Sequence, residues 1–99
     1  MRFGVLGPLA VWTADGAAVR VPDAKVRALL GLLLAAEGRP VSADRLIDDL
    51  WGSRLPRDPA ATLQSRVSNL RKALDQAEPG ARSLLVSQPP GYLLRAESV

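Results

Sequence analysis

Cysteine and histidine are both absent from this 99-residue chain. Without them the chain cannot build a zinc site of the Cys/His kind, a disulfide, or a thiol or imidazole nucleophile. Catalysis by paired carboxylates remains possible, and Asp48 and Asp49 are the candidate pair. Because adjacent residues on a helix point about 100° apart, these two side chains do not face each other and are more typical of a solvated face. A ligand pocket of about 300 Å³ or more is also hard to fit into so small a domain. We therefore expect no enzyme, no cofactor, no metal and no small-molecule ligand.

Aromatic residues and long apolar runs are also scarce. The four aromatic residues are Phe3, Trp12, Trp51 and Tyr92. We interpret Phe3, Trp51 and Tyr92 as parts of a mostly aliphatic core and not as platforms for stacking bases. The longest apolar run, residues 28–36, has about half the length that crosses a bilayer, and the N-terminus lacks the pattern of a signal peptide. The sequence predicts one cytoplasmic domain over residues 1–99, with no membrane partner.

Positive charge is concentrated in one part of the chain, although the net charge is only +3. Residues 54–72 contain five basic residues and one acidic residue, a balance of +4. Residues 1–53 sum to zero, and residues 73–99 to −1. Because a solvated helix face usually mixes its signs, a segment of one sign favours a polyanionic partner.

The start of the chain is typical of a small antiparallel sheet. Strands are predicted over residues 2–6, 9–12 and 19–21, because short apolar stretches alternate with breaks. The Asp15-Gly16 pair before the third strand supplies the positive φ that a tight turn needs. We therefore expect the sheet to precede the first helix.

Three helices follow. The first is predicted over residues 24–37, where one apolar stripe at helical spacing consists of Val26, Leu29, Leu30, Leu33 and Leu34. The second begins after Ser42 and stops at Gly52, and the third covers residues 59–75. Asp23, Ser42 and Asp58 have side chains suited to cap the N-termini of the first, second and third helices.

The tail is predicted to be a hairpin, with strands over residues 83–87 and 92–95 joined by a turn over 88–91. A short second helix, a loop and a basic third helix before a hairpin describe a helix-turn-helix with a wing. The predicted fold class is α+β. It is a winged helix-turn-helix with an N-terminal antiparallel sheet, three helices and a C-terminal β-hairpin wing.

The third helix has an apolar face and a polar face. Its apolar stripe consists of Leu63, Val67, Leu70 and Leu74. The opposite face carries Ala61, Ser65, Ser68, Asn69 and Lys72, with Gln64 and Arg71 along one margin and Thr62 and Arg66 along the other. Small central residues let a helix enter a groove about 12 Å wide, while longer side chains at the margins reach phosphates and base edges. An ordinary surface helix with a few arginines is the alternative.

Each residue type on this face suits a particular contact with duplex DNA. Gln64 and Asn69 can form bidentate hydrogen bonds with adenine. Ser65 and Ser68 can contact a base or simply allow close approach. Phosphate contacts are predicted for Thr62, Arg66, Arg71 and Lys72. Such contacts set affinity and salt dependence, whereas base contacts set sequence preference.

Five segments together carry a family resemblance. They are FGVLGPLAV (3–11), RALLGLLLA (27–35), LIDDLWG (46–52), LQSRVSNLRKAL (63–74) and PPGYLL (89–94). In order and spacing they resemble the N-terminal, OmpR-type winged-helix DNA-binding domain of the Streptomyces antibiotic regulatory protein (SARP) family. The resemblance spans nearly the whole chain. It also implies a similarity to the effector domains of response regulators.

The resemblance implies a transcriptional activator of a biosynthetic gene cluster. It implies binding to double-stranded DNA at direct repeats near promoters, a second copy of the chain on that DNA, and contact with RNA polymerase including its sigma subunit. The loop over residues 52–58 would face the polymerase through Ser53, Arg54, Leu55 and Arg57. Gln88 stands in the wing where relatives often carry Arg, which weakens the case for a charged minor-groove contact. Because family members continue into a helical activation domain, residues 1–99 are expected to be excised from a longer regulator.

A protein-interaction module with non-specific DNA affinity is the second hypothesis. In it the winged helix docks another protein, and the positive segment meets an acidic partner. The apolar residues that motivate it are Leu55 and Pro56 in the loop and Leu84, Leu85, Leu93 and Leu94 in the predicted wing. Salt-dependent affinity for duplex DNA distinguishes the two hypotheses.

Overall fold

The computed structural model describes residues 2–4, 10–12, 21 and 23–95. The strands are β1 (Arg2–Gly4), β2 (Ala10–Trp12), β3 (Val41–Ser42), β4 (Leu85–Gln88) and β5 (Gly91–Leu94). The helices are α1 (Ala24–Ala35), α2 (Ala43–Trp51) and α3 (Pro59–Ala77), with a 3-10 helix over Ala81–Leu84. This order confirms the predicted α+β winged helix-turn-helix.

The N-terminal strands β1 and β2 pair in antiparallel fashion, with Phe3 opposite Val11. This confirms the first two predicted strands in the parts that the structure describes. The predicted Asp15-Gly16 turn lies outside the described residues, as does the third predicted strand except for Val21. That residue is buried and belongs to no strand.

The helix ends follow the predicted caps. Asp23, Ser42 and Asp58 each accept hydrogen bonds from backbone N–H groups in the first turn of the helix that follows. These bonds satisfy donors that have no partner within the helix. The first helix ends two residues earlier than predicted, because the chain turns at Glu37, whose φ is +53°. The third extends two residues farther, to Ala77.

The core is aliphatic and is shared by the three helices and the wing. Its buried side chains are Val26, Leu29, Leu30, Leu33 and Leu34 of α1, Leu46 and Leu50 of α2, Leu63, Val67, Leu70 and Leu74 of α3, and Val21, Ala81, Leu85 and Leu94. Trp51 and Tyr92 pack against this cluster and are partly buried, as the sequence predicts. Burial of Leu85 and Leu94 removes two of the residues that motivated a protein-docking wing. Leu84, also partly buried against the core, contributes little free apolar surface.

The wing belongs to a three-stranded antiparallel sheet in the order β3–β5–β4. The short strand β3, which the sequence did not predict, pairs Val41 with Tyr92 of β5. Ser42 therefore serves both as a strand residue and as the N-cap of α2. As a result, the base of the wing is joined directly to the start of the helix-turn-helix.

The segment between α3 and the wing differs from the prediction, which placed the first wing strand over residues 83–87. Ser83 and Leu84 instead belong to the 3-10 helix. The chain turns at Gly80, whose φ is +89°, and both the N–H and the hydroxyl of Ser83 donate to the Gly80 carbonyl. These local bonds favour a helical turn over an extended strand.

Candidate nucleic-acid interface

The face of α3 that points away from the core carries the predicted base-reading residues. These four residues, Gln64, Ser65, Ser68 and Asn69, are all exposed. Lys72, predicted to contact phosphate, is exposed on the same face. The four apolar residues on the opposite side are at most 1% exposed, so burial determines how the helix is rotated about its axis. No acidic residue lies between Pro59 and Leu74. The exposed face is therefore polar, with small residues near its centre, and can approach a polyanion without like-charge repulsion from residues 59–74.

One margin of α3 lies toward the start of α1. Thr62 is partly buried, and its hydroxyl donates to the Asp58 carbonyl over 2.8 Å. Arg66 is also partly buried, and within the described part of the chain its Nε has no hydrogen-bond partner. Its positive charge also acts on Asp23. The two residues at this margin that were predicted to contact phosphate, Thr62 and Arg66, are therefore both partly buried.

The pKa of Asp23 is lowered from its ordinary value. The main cause is the hydrogen bond from the backbone N–H of Val26, and the N–H of Lys25 acts in the same direction. Desolvation opposes this effect, and the guanidinium groups of Arg66 and Arg27 favour the charged carboxylate more weakly. Together, the hydrogen bonds and the two positive charges outweigh desolvation. The cap of α1 and the basic margin of α3 are thus coupled electrostatically.

Arg71, at the opposite margin, contacts the wing. Its Nε and Nη2 atoms donate to the Leu85 carbonyl oxygen over 3.2 and 3.0 Å, and the residue is partly buried. The neighbouring Lys72 is exposed and makes no hydrogen bond or ion pair within the described residues. The sequence predicted phosphate contacts for both residues, but the structure gives them different surroundings.

The tip of the wing is formed by Pro89 and Pro90, joined by a cis peptide bond, with Gln88 exposed beside them. The Pro90 carbonyl accepts a hydrogen bond from the Ala43 N–H at the start of α2, over 2.9 Å. The wing therefore exposes the amide side chain of Gln88 at its tip, and a backbone hydrogen bond joins the wing to the first residue of α2.

Gly91 allows β5 to approach β3 very closely. A Cβ atom at this position would lie 2.7 Å from the Ser42 Cα and would overlap the Val41 carbonyl oxygen. Both obstacles are backbone atoms, which cannot swing away as a flexible side chain can. The glycine of the PPGYLL segment is therefore required by packing.

The loop between α2 and α3 exposes the residues predicted to face the polymerase. Ser53, Arg54, Leu55 and Arg57 are all exposed. Among the described residues, Leu55 is the one large apolar side chain that is exposed, at 56%. An apolar residue flanked by two arginines can contact another macromolecule.

Lys25 holds the end of α2 from which this loop starts. Its Nζ donates to the Leu50 carbonyl and lies 5.9 Å from the centre of the Trp51 ring. Sequence reasoning missed both this contact and the one between Arg71 and Leu85. The partners are far apart along the chain, so no local pattern points to either contact.

A shallow depression of about 530 Å³ opens between the end of α1, β3 and the start of α2. Leu32, Ala35 and Val41 contribute to its walls, and an ion pair of 3.3 Å joins Arg45 to Asp49 beside it. The expectation that so small a domain has no space of this size was wrong, because the helix ends leave an open groove.

Within residues 2–4, 10–12, 21 and 23–95, no group of three or more acidic side chains that could hold a metal ion is present. No helix of this part is long and apolar enough to cross a membrane.

Several known proteins are similar to this chain. Its residues 21–94 match the family described as "Transcriptional regulatory protein, C terminal". The chain is 44% identical over 95 residues to the regulatory protein AfsR of Streptomyces coelicolor, covering 96% of this chain and 9% of AfsR. It is 45% identical over 94 residues to the transcriptional regulatory protein EmbR of Mycobacterium tuberculosis, covering 95% of this chain and 24% of EmbR. The transcriptional regulator RedD of S. coelicolor is 33% identical, with 98% of this chain and 28% of RedD covered.

A solved structure has the same fold. It is M. tuberculosis EmbR in complex with a low-affinity phosphopeptide, with a TM-score of 0.85, 43% identity, and coverage of 97% of this chain and 25% of that chain. The present chain thus spans from about a tenth to less than a third of the length of these relatives. The chain belongs to the transcriptional regulatory protein, C-terminal family, as an OmpR-type DNA-binding winged-helix domain related to SARP-family regulators and not to enzymes.

Proposed function

We propose that this chain binds double-stranded DNA at specific sequences, with α3 in the major groove. The observation that carries the proposal is the exposed face of α3, where small and amide side chains lie opposite a fully buried apolar stripe. Gln64 and Asn69 read adenine edges, and Ser65 and Ser68 contact bases or permit close approach. These contacts determine sequence preference.

Phosphate contacts supply the affinity. Lys72 is the most accessible cation of α3, and the partly buried Thr62 and Arg66 lie along the margin near α1. Arg71 was predicted in the same role. Gln88 at the wing tip reaches the neighbouring minor groove, where an uncharged amide can accept or donate hydrogen bonds. Binding of this kind weakens steeply as salt rises.

The family resemblance supports a wider role for the protein to which this domain belongs. It is a cytoplasmic activator of a biosynthetic gene cluster that binds direct repeats near promoters, with two copies seated head to tail about one helical turn apart. The exposed loop residues Ser53, Arg54, Leu55 and Arg57 contact RNA polymerase or its sigma subunit. Leu55 supports this assignment through its exposure.

A protein-interaction module with only non-specific DNA affinity is a second candidate. The same exposed Leu55 favours it, together with the neighbouring partly buried Pro56. A winged helix used in this way needs no base-reading face. The α3 surface therefore favours the first function.

Selection of binding sites from a random duplex pool, read at two salt concentrations, tests the proposed function. We expect a short motif to be enriched in tandem, with affinity that falls as salt rises. Salt-sensitive binding without an enriched motif would indicate phosphate contacts alone and would favour the second candidate. Absence of duplex binding at both salt concentrations would contradict the proposed function.

A further inference from the structure

We propose that Arg71 is a positioning residue that fixes the wing relative to α3, so that helix and wing engage one duplex together. This role replaces the phosphate contact predicted from the sequence. Its effect on DNA affinity rests on the proposed function, but the anchoring itself is a property of the free domain.

The backbone at the base of the wing leaves one carbonyl without a strand partner. The Arg95 N–H donates to the Leu84 carbonyl over 2.7 Å, which makes these two residues a hydrogen-bonded pair of the antiparallel ladder. Because such pairs alternate, the N–H and C=O of the next residue, Leu85, point away from β5. The Leu85 N–H bonds to the Arg82 carbonyl. Since β4 is the edge strand of this sheet, no further strand among the described residues pairs with the Leu85 carbonyl.

Arg71 supplies the missing donor. Its Nε and Nη2 both point at this oxygen, over 3.2 and 3.0 Å, and the Leu85 side chain itself is only 2% exposed. A carbonyl beside the core costs free energy when it is left without a partner, and a cationic donor satisfies it strongly. The two neighbouring nitrogens of a planar guanidinium can meet one oxygen together, whereas a lysine ammonium is a point charge on a flexible stem.

The anchor lies where it controls the direction of the wing. Leu85 is the first residue of β4, and Gln88 is its last, about 10 Å away along an extended strand. A small rotation at Leu85 therefore moves the tip much farther than the base. On the helix side, Arg71 shares a margin with Gln64, about two turns earlier. The bond thus links the base-reading margin of α3 with the part of the hairpin that carries Gln88.

Lys72 offers a matched control. It has the same formal charge and is the next residue of the helix, but it is exposed and makes no hydrogen bond or ion pair within the described residues. A phosphate ligand and a positioning residue respond differently to substitution. Loss of a phosphate contact makes the negative slope of log Kobs against log salt shallower by about 0.9, whereas loss of an anchor leaves that slope unchanged.

The test compares Arg71→Met, Arg71→Lys and Lys72→Met in the 99-residue chain, with the duplex enriched by selection. We expect both Arg71 variants to weaken binding about tenfold with an unchanged salt slope, because lysine keeps the charge but loses the planar fork. Lys72→Met should make the slope shallower by about 0.9. We also expect Gln88→Ala to weaken binding in the parent chain but to have little further effect when combined with Arg71→Lys. A slope that becomes shallower in Arg71→Met and recovers in Arg71→Lys would overturn the proposal and establish a phosphate ligand.

Measurements without DNA separate this proposal from the proposed function. Residual dipolar couplings of the β4–β5 amides should fit the same alignment tensor as those of α3 in the parent chain, and should depart from it in Arg71→Lys while α1, α2 and α3 still agree with one another. Couplings that continue to fit one tensor would overturn the positioning role, whether or not the chain binds DNA. Arg71→Lys keeps the aliphatic stem and the charge, so it carries the test if Arg71→Met does not fold. If no duplex is bound, the couplings still decide the role of Arg71.

Discussion

The recognition helix α3 and the wing are held in place in different ways. The backbone hydrogen bonds of α3 are internal, and four apolar side chains on one side fix its rotation against the core. The wing is a short hairpin whose position depends on contacts with distant elements. Besides the burial of Leu85 and Leu94 in the core, these contacts include the close approach of Gly91 to β3, the bond from the Ala43 N–H to the Pro90 carbonyl, and the bonds from Arg71 to the Leu85 carbonyl.

This difference predicts which changes affect stability and which affect recognition. Substitutions on the exposed face of α3 remove contacts with a ligand and leave the core intact, so they should alter binding and not folding. Substitutions at the backbone contacts of the wing disturb the fold itself. The predictions that follow test this separation.

Replacement of Gly91 with alanine should have the largest effect on folding. The new methyl group meets the Val41 carbonyl and the Ser42 Cα, so β3 and β5 must separate, at a cost of about 1–3 kcal/mol or more in the free energy of unfolding. Urea denaturation measures this cost. Gly31→Ala in α1 is the control. A Cβ there meets no atom within 4 Å, and alanine should stabilise the helix by about 0.5–1 kcal/mol. An unchanged urea midpoint for Gly91→Ala would show that the wing is not held by this close approach.

Replacement of Asn69 with alanine should change sequence preference. If its amide reads adenine, the variant loses about 1–3 kcal/mol of discrimination between the enriched site and a site lacking that adenine. Stability should change by no more than about 0.5 kcal/mol, because the residue is exposed. Competition binding with the two duplexes measures the discrimination. Gln76→Ala, an exposed residue about two turns farther along α3, is the control. Equal losses of affinity for both duplexes would indicate that Asn69 contacts phosphate and does not read a base.

Replacement of Lys72 with methionine should weaken binding to all duplexes alike. The negative slope of log Kobs against log salt should become shallower by about 0.9, since one phosphate contact is lost. A salt titration on the enriched duplex and on a random one measures both slopes. Arg39→Met, which removes one positive charge from the turn after α1, should leave the slope nearly unchanged. The same decrease in both variants would indicate a general effect of net charge and no specific contact.

Acid stability should reveal the charge at the cap of α1. The pKa of Asp23 is lowered in the folded state, so its contribution to stability is fully present above the ordinary aspartate range and is lost as pH falls through the lower, folded pKa. Asp23→Asn keeps a good capping side chain but removes the charge, and should therefore flatten the pH dependence of unfolding below about pH 4. The effect should be small, because the carboxylate is exposed. The same pH dependence in Asp23→Asn as in the parent chain would contradict a stabilising charge at this cap. Asp48→Asn is the control, because Asp48 is exposed and caps no helix.

Much of the fold could be predicted because the relevant forces act locally. The leucines of α1 and α3 recur at helical spacing, and all those assigned to the buried stripes are buried. Asp23, Ser42 and Asp58 cap the helices that follow them. The 3-10 helix was missed because Ser83 and Leu84 resemble the start of a strand, whereas the bonds to Gly80 decide their conformation.

The candidate site could be predicted only in part. Exposure of Gln64, Ser65, Ser68 and Asn69 follows from the helical period, since their positions lie opposite the buried stripe. Their DNA contacts remain predictions. The surroundings of Arg71 were not predictable from the sequence. An arginine at the margin of a basic helix suggests a phosphate contact, and no local pattern shows that the carbonyl of Leu85, 14 residues farther along the chain, lies next to it.

The sequence alone determined the helices, their caps, the face that α3 exposes and the family resemblance, since each depends on the spacing and type of residues close together in the chain. Only the tertiary structure decided that Val41–Ser42 forms a third strand, that Gly91 must lack a side chain, and that Arg71 bonds to the wing. These features join backbone groups and side chains that are distant in sequence. Hydrogen bonding and close packing depend on the distance between atoms in space, which residue spacing along the chain does not give.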